Sequence, residues 1–168
     1  MKTSKITACA LFLSVSFVIS LLEGAIPLPL IPGLKLGFAN IAVVAAFFYM
    51  GKNWALSIVI TRTLLALLLF GNMTSFLLSL SGGLLAWLSL CFTLRLYTKA
   101  LSFCGISSIS AVCHSIGQIF AASLVVADYA VYAYLPLLCA ASSAAGFFTG
   151  CVMNAIIPRI INLSERSS

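Results

Sequence analysis

Three side chains able to hydrogen-bond an anion or a polar ring, Arg62, His114 and Gln118, sit in stretches that are otherwise apolar. Ser110, His114 and Gln118 are spaced four apart and so share one face of a helix. At about 1.5 Å per residue, Arg62 stands on the order of 14 Å from the start of its helix, and His114 and Gln118 roughly 12 and 18 Å from the start of theirs. A guanidinium, an imidazole and a carboxamide at one depth can hydrogen-bond a phosphate, a carboxylate or a ring carbonyl. A charge at that depth of a membrane costs at least a few kcal/mol unless it faces a partner or water. The chain has three acidic residues, Glu23, Asp128 and Glu165, none of them at the depth of Arg62. The guanidinium therefore reaches outward to Glu23, bonds carbonyls and polar side chains, snorkels, or meets an anionic ligand. His114 is open to three roles: packing, proton relay and ligand contact.

A second group of candidates flanks the stretch EGAIPLPLIPGLKLGFANI, residues 23–41. Pro27, Pro29 and Pro32 fix their own φ and disfavour helix at the residues before them, so the segment reads as extended and stiff. It is either a helix-breaking connection at the membrane surface or a preorganised wall over a site. Where Gly33 and Gly37 allow close backbone approach, Lys35 and Asn40 meet a ligand from the outer side. Otherwise they are a surface lysine and a capping or interhelical asparagine, with Glu23 equally able to latch Lys35. Asp128, followed by Tyr129, Tyr132 and Tyr134, fits an interfacial belt.

The elements that must position these groups follow from composition. Hydrophobic residues make up 62% of the 168 and charged residues 7%, and the mean hydropathy is +1.20. Soluble domains have about 45–50% apolar and about 25% charged residues, so the chain reads as one integral membrane domain. The apolar runs are continuous rather than alternating, which favours helices over a barrel. The expected fold is an all-α bundle with six spans, near 6–22, 36–51, 53–70, 75–94, 106–126 and 135–157, the second being short for a full crossing. Lys2 and Lys5 precede the first run, but no small-residue cleavage pattern follows, so it reads as a retained helix.

With a cytoplasmic N-terminus the inner side collects Lys2, Lys5, Lys52, Arg95, Lys99, Arg159 and Arg166, and the outer side keeps Lys35 with Glu23 and Asp128. The positive-inside rule then places both termini in the cytoplasm. The net charge of +6 is accounted for by topology and anionic lipid, without nucleic acid. The six cysteines are scattered through apolar segments without metal-ligand spacing and read as small buried hydrophobes.

Several segments occur in an order that carries a family resemblance: Leu22-Glu23, PGLKLGFANI at 32–41, Thr61-Arg62, LSLSGG at 78–83 and SAVCHSIGQ at 110–118. Together they resemble the Gx transporter family, whose members are commonly labelled heptaprenyl diphosphate synthase component I. That family looks like the S-components of energy-coupling factor (ECF) transporters, six-helix proteins of the cell membrane that bind a vitamin or similar micronutrient. The resemblance implies as partners a coupling transmembrane protein, two cytoplasmic ATPases and a small-molecule substrate, with no cofactor. It also implies a partner-helix contact through small residues four apart on helix 1, here Ala10 and Ser14. A second small face, Ser142, Gly146, Gly150 and Asn154, lies on helix 6 and serves either a partner or packing within the protein.

The absence of a G-x-x-x-x-G-K-[ST] loop places any ATPase on another chain. The prenyl synthase label suggests an enzyme, but Mg²⁺-diphosphate chemistry needs clustered carboxylates, and the sequence has no DDxxD and no paired acids. The chain thus reads as non-catalytic: a substrate-binding membrane component of an importer, or an accessory subunit beside a prenyl synthase or quinone and flavin electron-transfer machinery. A ligand-free scaffold is the third reading.

Overall fold

The computed structural model describes residues 2–25, 37–96 and 102–166. Every regular element in those residues is helical: α1 (Lys2–Ala25), α2 (Asn40–Met50), α3 (Lys52–Phe70), α4 (Met73–Leu96), α5 (Phe103–Val126), a 3-10 turn over Tyr129–Tyr134, and α6 (Leu135–Arg166). The prolines at 27, 29 and 32, Gly33 and Lys35 lie outside the described residues, and with them the expectation of a stiff wall.

Five of these helices are long and apolar enough to cross a membrane. All-helical among the described residues, the chain is consistent with a multi-pass membrane protein. Its exterior agrees with this, since large apolar side chains stand exposed around the bundle, among them Leu11, Leu68, Phe92, Leu124 and Phe148; soluble monomers rarely expose so much.

The sixth helix, α2, departs from the expected second span at 36–51. Its 11 residues reach only about 16 Å, roughly half of a hydrocarbon core about 30 Å thick. Two glycines set these limits. Gly37 at φ 91° turns the chain just before α2, and Gly51 at φ 96° ends it and starts α3 in a single residue. Both are backbone conformations that side chains resist.

What α2 lacks in length it makes up in burial. Ala42, Val43, Val44, Ala45, Ala46 and Phe47 are buried in succession, as expected for a helix apolar all round, and α2 touches each of the other five helices. Around it one apolar cluster gathers Val43, Val44, Phe47, Ile58, Val59, Leu90 and Ile106. A second cluster joins Leu78, Ile119, Ala122, Val131 and Leu138. Along α4 and α5 the two clusters occupy opposite ends, and the polar residues fall between them.

Local chemistry explains three further starts. Ser102 caps α5 by accepting from Gly105 N at 3.3 Å, Asn72 Oδ1 accepts from Ser75 N at 3.0 Å at the start of α4, and Asp128 Oδ1 accepts from Ala130 N at 2.8 Å to open the 3-10 turn. Each is a short polar side chain meeting helix N–H groups that have no intrahelical acceptor.

The small face of helix 6 is internal. A Cβ on Gly146 would stand 2.6 Å from Ser108 Cα, and one on Gly150 only 2.3 Å from Cys104 Cα. Ser142 bonds Ser115 on α5 and donates to Leu138 O at 2.5 Å. Ser142, Gly146 and Gly150 therefore form the α5–α6 seam, whereas Asn154 is exposed. On α1 the opposite holds: Ala10 and Ser14 lie on an exposed face, with Ser14 Oγ donating to Ala10 O at 2.8 Å.

Candidate functional site

The start of α2 is the point on which polar side chains of α1, α3 and α5 converge, with a backbone carbonyl of α4 beside them. From α1, Glu23 brings its carboxylate to the helix N-terminus, where Oε1 accepts from Phe38 N at 2.6 Å and Oε2 from Ala39 N at 3.3 Å. A negative group there meets both orphan N–H donors and the positive end of the helix dipole. Seven residues earlier on the same face, Ser16 Oγ donates to Ala39 O at 3.1 Å and accepts from Arg62 Nη1 of α3 at 3.1 Å. On the other side Asn40 Nδ2 donates to Ser110 Oγ of α5 at 2.9 Å, and Ser110 Oγ donates onward to Ala86 O of α4 at 3.3 Å. Each serine uses its single proton and one lone pair, so a neutral hydroxyl links three chain segments.

Arg62 is buried, 3% exposed. Its Nε has no hydrogen-bond partner among the described residues, and Glu23 is the acidic group whose field reaches it. His114 and Gln118 are also buried and bond each other, Nε2 to Nε2, at 3.1 Å.

Two adjacent glycines on α4 bring these groups together. A Cβ on Gly82 would stand 2.8 Å from both Gln118 Cγ and His114 O, and one on Gly83 would stand 2.6 Å from Val59 Cγ1 and 3.8 Å from Arg62 Nη2. Gly82 thus faces the imidazole and carboxamide of α5 while Gly83 faces the guanidinium of α3. From α2's side, a Cβ on Gly37 would lie 3.2 Å from His114 Cδ2. Gly37 therefore packs against the histidine ring. Ser81 completes the seam by donating to Gly117 O at 2.9 Å.

Of the residues singled out in the sequence, Glu23, Asn40, Arg62, His114 and Gln118 are gathered in this layer. Lys35 lies outside the described residues, and Ala10 and Ser14 are on a different face.

A family model for heptaprenyl diphosphate synthase component I matches residues 12–156. The chain belongs to the heptaprenyl diphosphate synthase component I family. No curated protein and no solved structure matches it. The matched span takes in every residue of the polar layer.

Sequence reasoning missed Ser16 in this family member, because a lone serine in a membrane helix is unremarkable. The usable signal was the spacing of Ser16, Ser20 and Glu23, four and three apart on one helix face, all three buried. Gly82 and Gly83 were visible as a run, but their role needs the partner helices. Chemically, the layer offers a guanidinium, a carboxylate, hydroxyls, amides and an imidazole, groups able to hydrogen-bond an anionic or carbonyl-rich ligand.

Proposed function

We propose that this family member is the substrate-binding membrane component of an ECF-type importer for a small anionic micronutrient. The observation that carries the reading is the buried guanidinium of Arg62, held in mid-helix by a neutral serine, with Nε left as a donor among the described residues. A cation at that depth is costly unless something anionic or polar meets it, and a ligand carboxylate or phosphate matches guanidinium geometry well. Arg62, His114 and Gln118 are the ligand-contacting side chains in this reading, with Asn40 and Glu23 setting the α2 entry and Lys35 contributing from the outer side. In this reading the protein resides in the cell membrane, and the Lys and Arg distribution supports a cytoplasmic side for both termini. The exposed Ala10 and Ser14 face is the contact for a coupling membrane protein, which works with separate ATPases.

The family name favours a second reading, a non-catalytic subunit attached to a heptaprenyl diphosphate synthase or to quinone and flavin electron-transfer machinery. One experiment addresses both. Purified full-length protein is heated with flavins, thiamine-like compounds, quinone precursors and prenyl phosphates in turn. A ligand present at a hundred times its Kd stabilises by about 2.7 kcal/mol, which appears as a raised melting temperature. The importer reading expects a shift with one class that Arg62→Ala removes. No shift with any class, together with co-purification of a prenyl synthase from native membrane, supports the accessory subunit instead.

A further inference from the structure

Cys104 and Cys151 meet across the α5–α6 seam with their sulfurs 3.6 Å apart. Nothing in the proposed function uses them. Cys104 is the second residue of α5 and Cys151 sits opposite on α6, immediately after Gly150. That glycine is why they meet: a Cβ there would fall 2.3 Å from Cys104 Cα and 2.7 Å from Cys104 N, so the two backbones touch at this level. Cys151 is exposed and Cys104 half-buried, and the pair lies at the end of the bundle where α5 begins, next in sequence to Arg95 and Lys99. Cys151 thus stands at the surface of the bundle.

We propose that Cys104 and Cys151 form a dithiol modification site that closes reversibly to a disulfide by exchange with a low-molecular-weight disulfide. The sulfurs are in van der Waals contact and must approach by about 1.5 Å to reach a bond length of about 2.05 Å, a movement within the reach of side-chain rotation. In the first step one protein thiolate attacks the small disulfide, forms a mixed disulfide and expels one small thiolate. The second protein thiolate then attacks the protein sulfur of that mixed disulfide and expels the other small thiolate. Two protein thiols lose two electrons, the small disulfide gains them, and the two released protons end on the two small thiols. The product staples the start of α5 to α6. Cys113 on α5 and Cys139 on α6, farther along the same two helices from this end, provide an internal comparison.

The test treats the full chain in lipid vesicles with oxidised glutathione, then counts remaining thiols by maleimide labelling after denaturation. The expected result is a fall from the six thiols of the sequence by two, with a cross-linked peptide joining Cys104 to Cys151, no retained glutathione, and full reversal by dithiothreitol. Cys104→Ser and Cys151→Ser should each abolish the cross-link and retain a single glutathione on the surviving partner, while the Cys113→Ser/Cys139→Ser double variant should still form it. Six labelled thiols after treatment, glutathione retained on the unsubstituted pair, or a cross-link joining any other cysteines would overturn the proposal.

Discussion

Arg62 on α3 is tied to Ser16 on α1 by a hydrogen bond from Nη1 to Oγ of 3.1 Å, and the same hydroxyl hands its proton to Ala39 O at 3.1 Å. One neutral side chain thus holds a buried cation and the entry of α2 together, where a carboxylate is the more familiar partner. Ser16→Ala removes both bonds at once. Hydrogen bonds to charged groups contribute about 1.5–3 kcal/mol, and a chain of this size loses about 2–4 °C of melting temperature per kcal/mol. Thermal unfolding of detergent-purified protein should show Ser16→Ala melting several degrees lower, with Ser16→Thr recovering most of the loss. Equal melting of Ser16→Ala and wild type would remove the serine from this role.

Glu23 acts on α2 through charge as well as hydrogen bonding. Glu23→Gln keeps an acceptor near Phe38 N but loses the negative charge at the helix N-terminus, which contributes about 0.3–1 kcal/mol, rising to about 2 kcal/mol when partly buried. Amide hydrogen exchange at Phe38 and Ala39 should accelerate in Glu23→Gln and more so in Glu23→Ala. Unchanged protection in both variants would count against the cap.

The α4–α5 contact leaves no space for a methyl group at Gly82, since the obstructing atoms include the backbone oxygen of His114. Overpacking of this kind costs about 1–3 kcal/mol. His114 is the single histidine of the chain, so its imidazole resonances report this seam alone. Gly82→Ala should move them. Gly51→Ala, where nothing lies within 4 Å, should leave them in place while lowering stability through its φ of 96°. The reverse pattern would place the tight contact elsewhere.

His114 should hold its proton on Nδ1. Gln118 presents Nε2, which only donates, to His114 Nε2 at 3.1 Å, so that ring nitrogen must accept. Nitrogen-15 NMR of the imidazole should show the neutral Nδ1–H tautomer in wild type, with Gln118→Leu relaxing this preference. An Nε2–H tautomer in the wild type would mean that the carboxamide oxygen faces the ring.

Much of this arrangement was legible before any coordinates. Continuous apolar runs marked the helices, and the four-residue spacing of Ser110, His114 and Gln118 placed them on one face because helical periodicity is local information. The depth argument likewise put Arg62 level with them. What the sequence could not carry was pairing between segments far apart in the chain. Ser16 and Arg62 are 46 residues apart, and a hydroxyl has no preferred partner that patterning reveals. The length of α2 was also misjudged, because hydropathy continues smoothly through 36–51 while the helix begins only after the turn at Gly37. The α6 stripe illustrates the same boundary: Ser142, Gly146 and Gly150 were recognisable as a close-packing face, but whether it met α5 or a foreign helix depended on tertiary register.

The length of α6 carries a mechanical consequence. Its 32 residues extend about 48 Å, well beyond a hydrocarbon layer of about 30 Å, so the part after the apolar span ending at Ala155 continues as helix past the apolar layer and carries Arg159, Glu165 and Arg166 of the sequence with it.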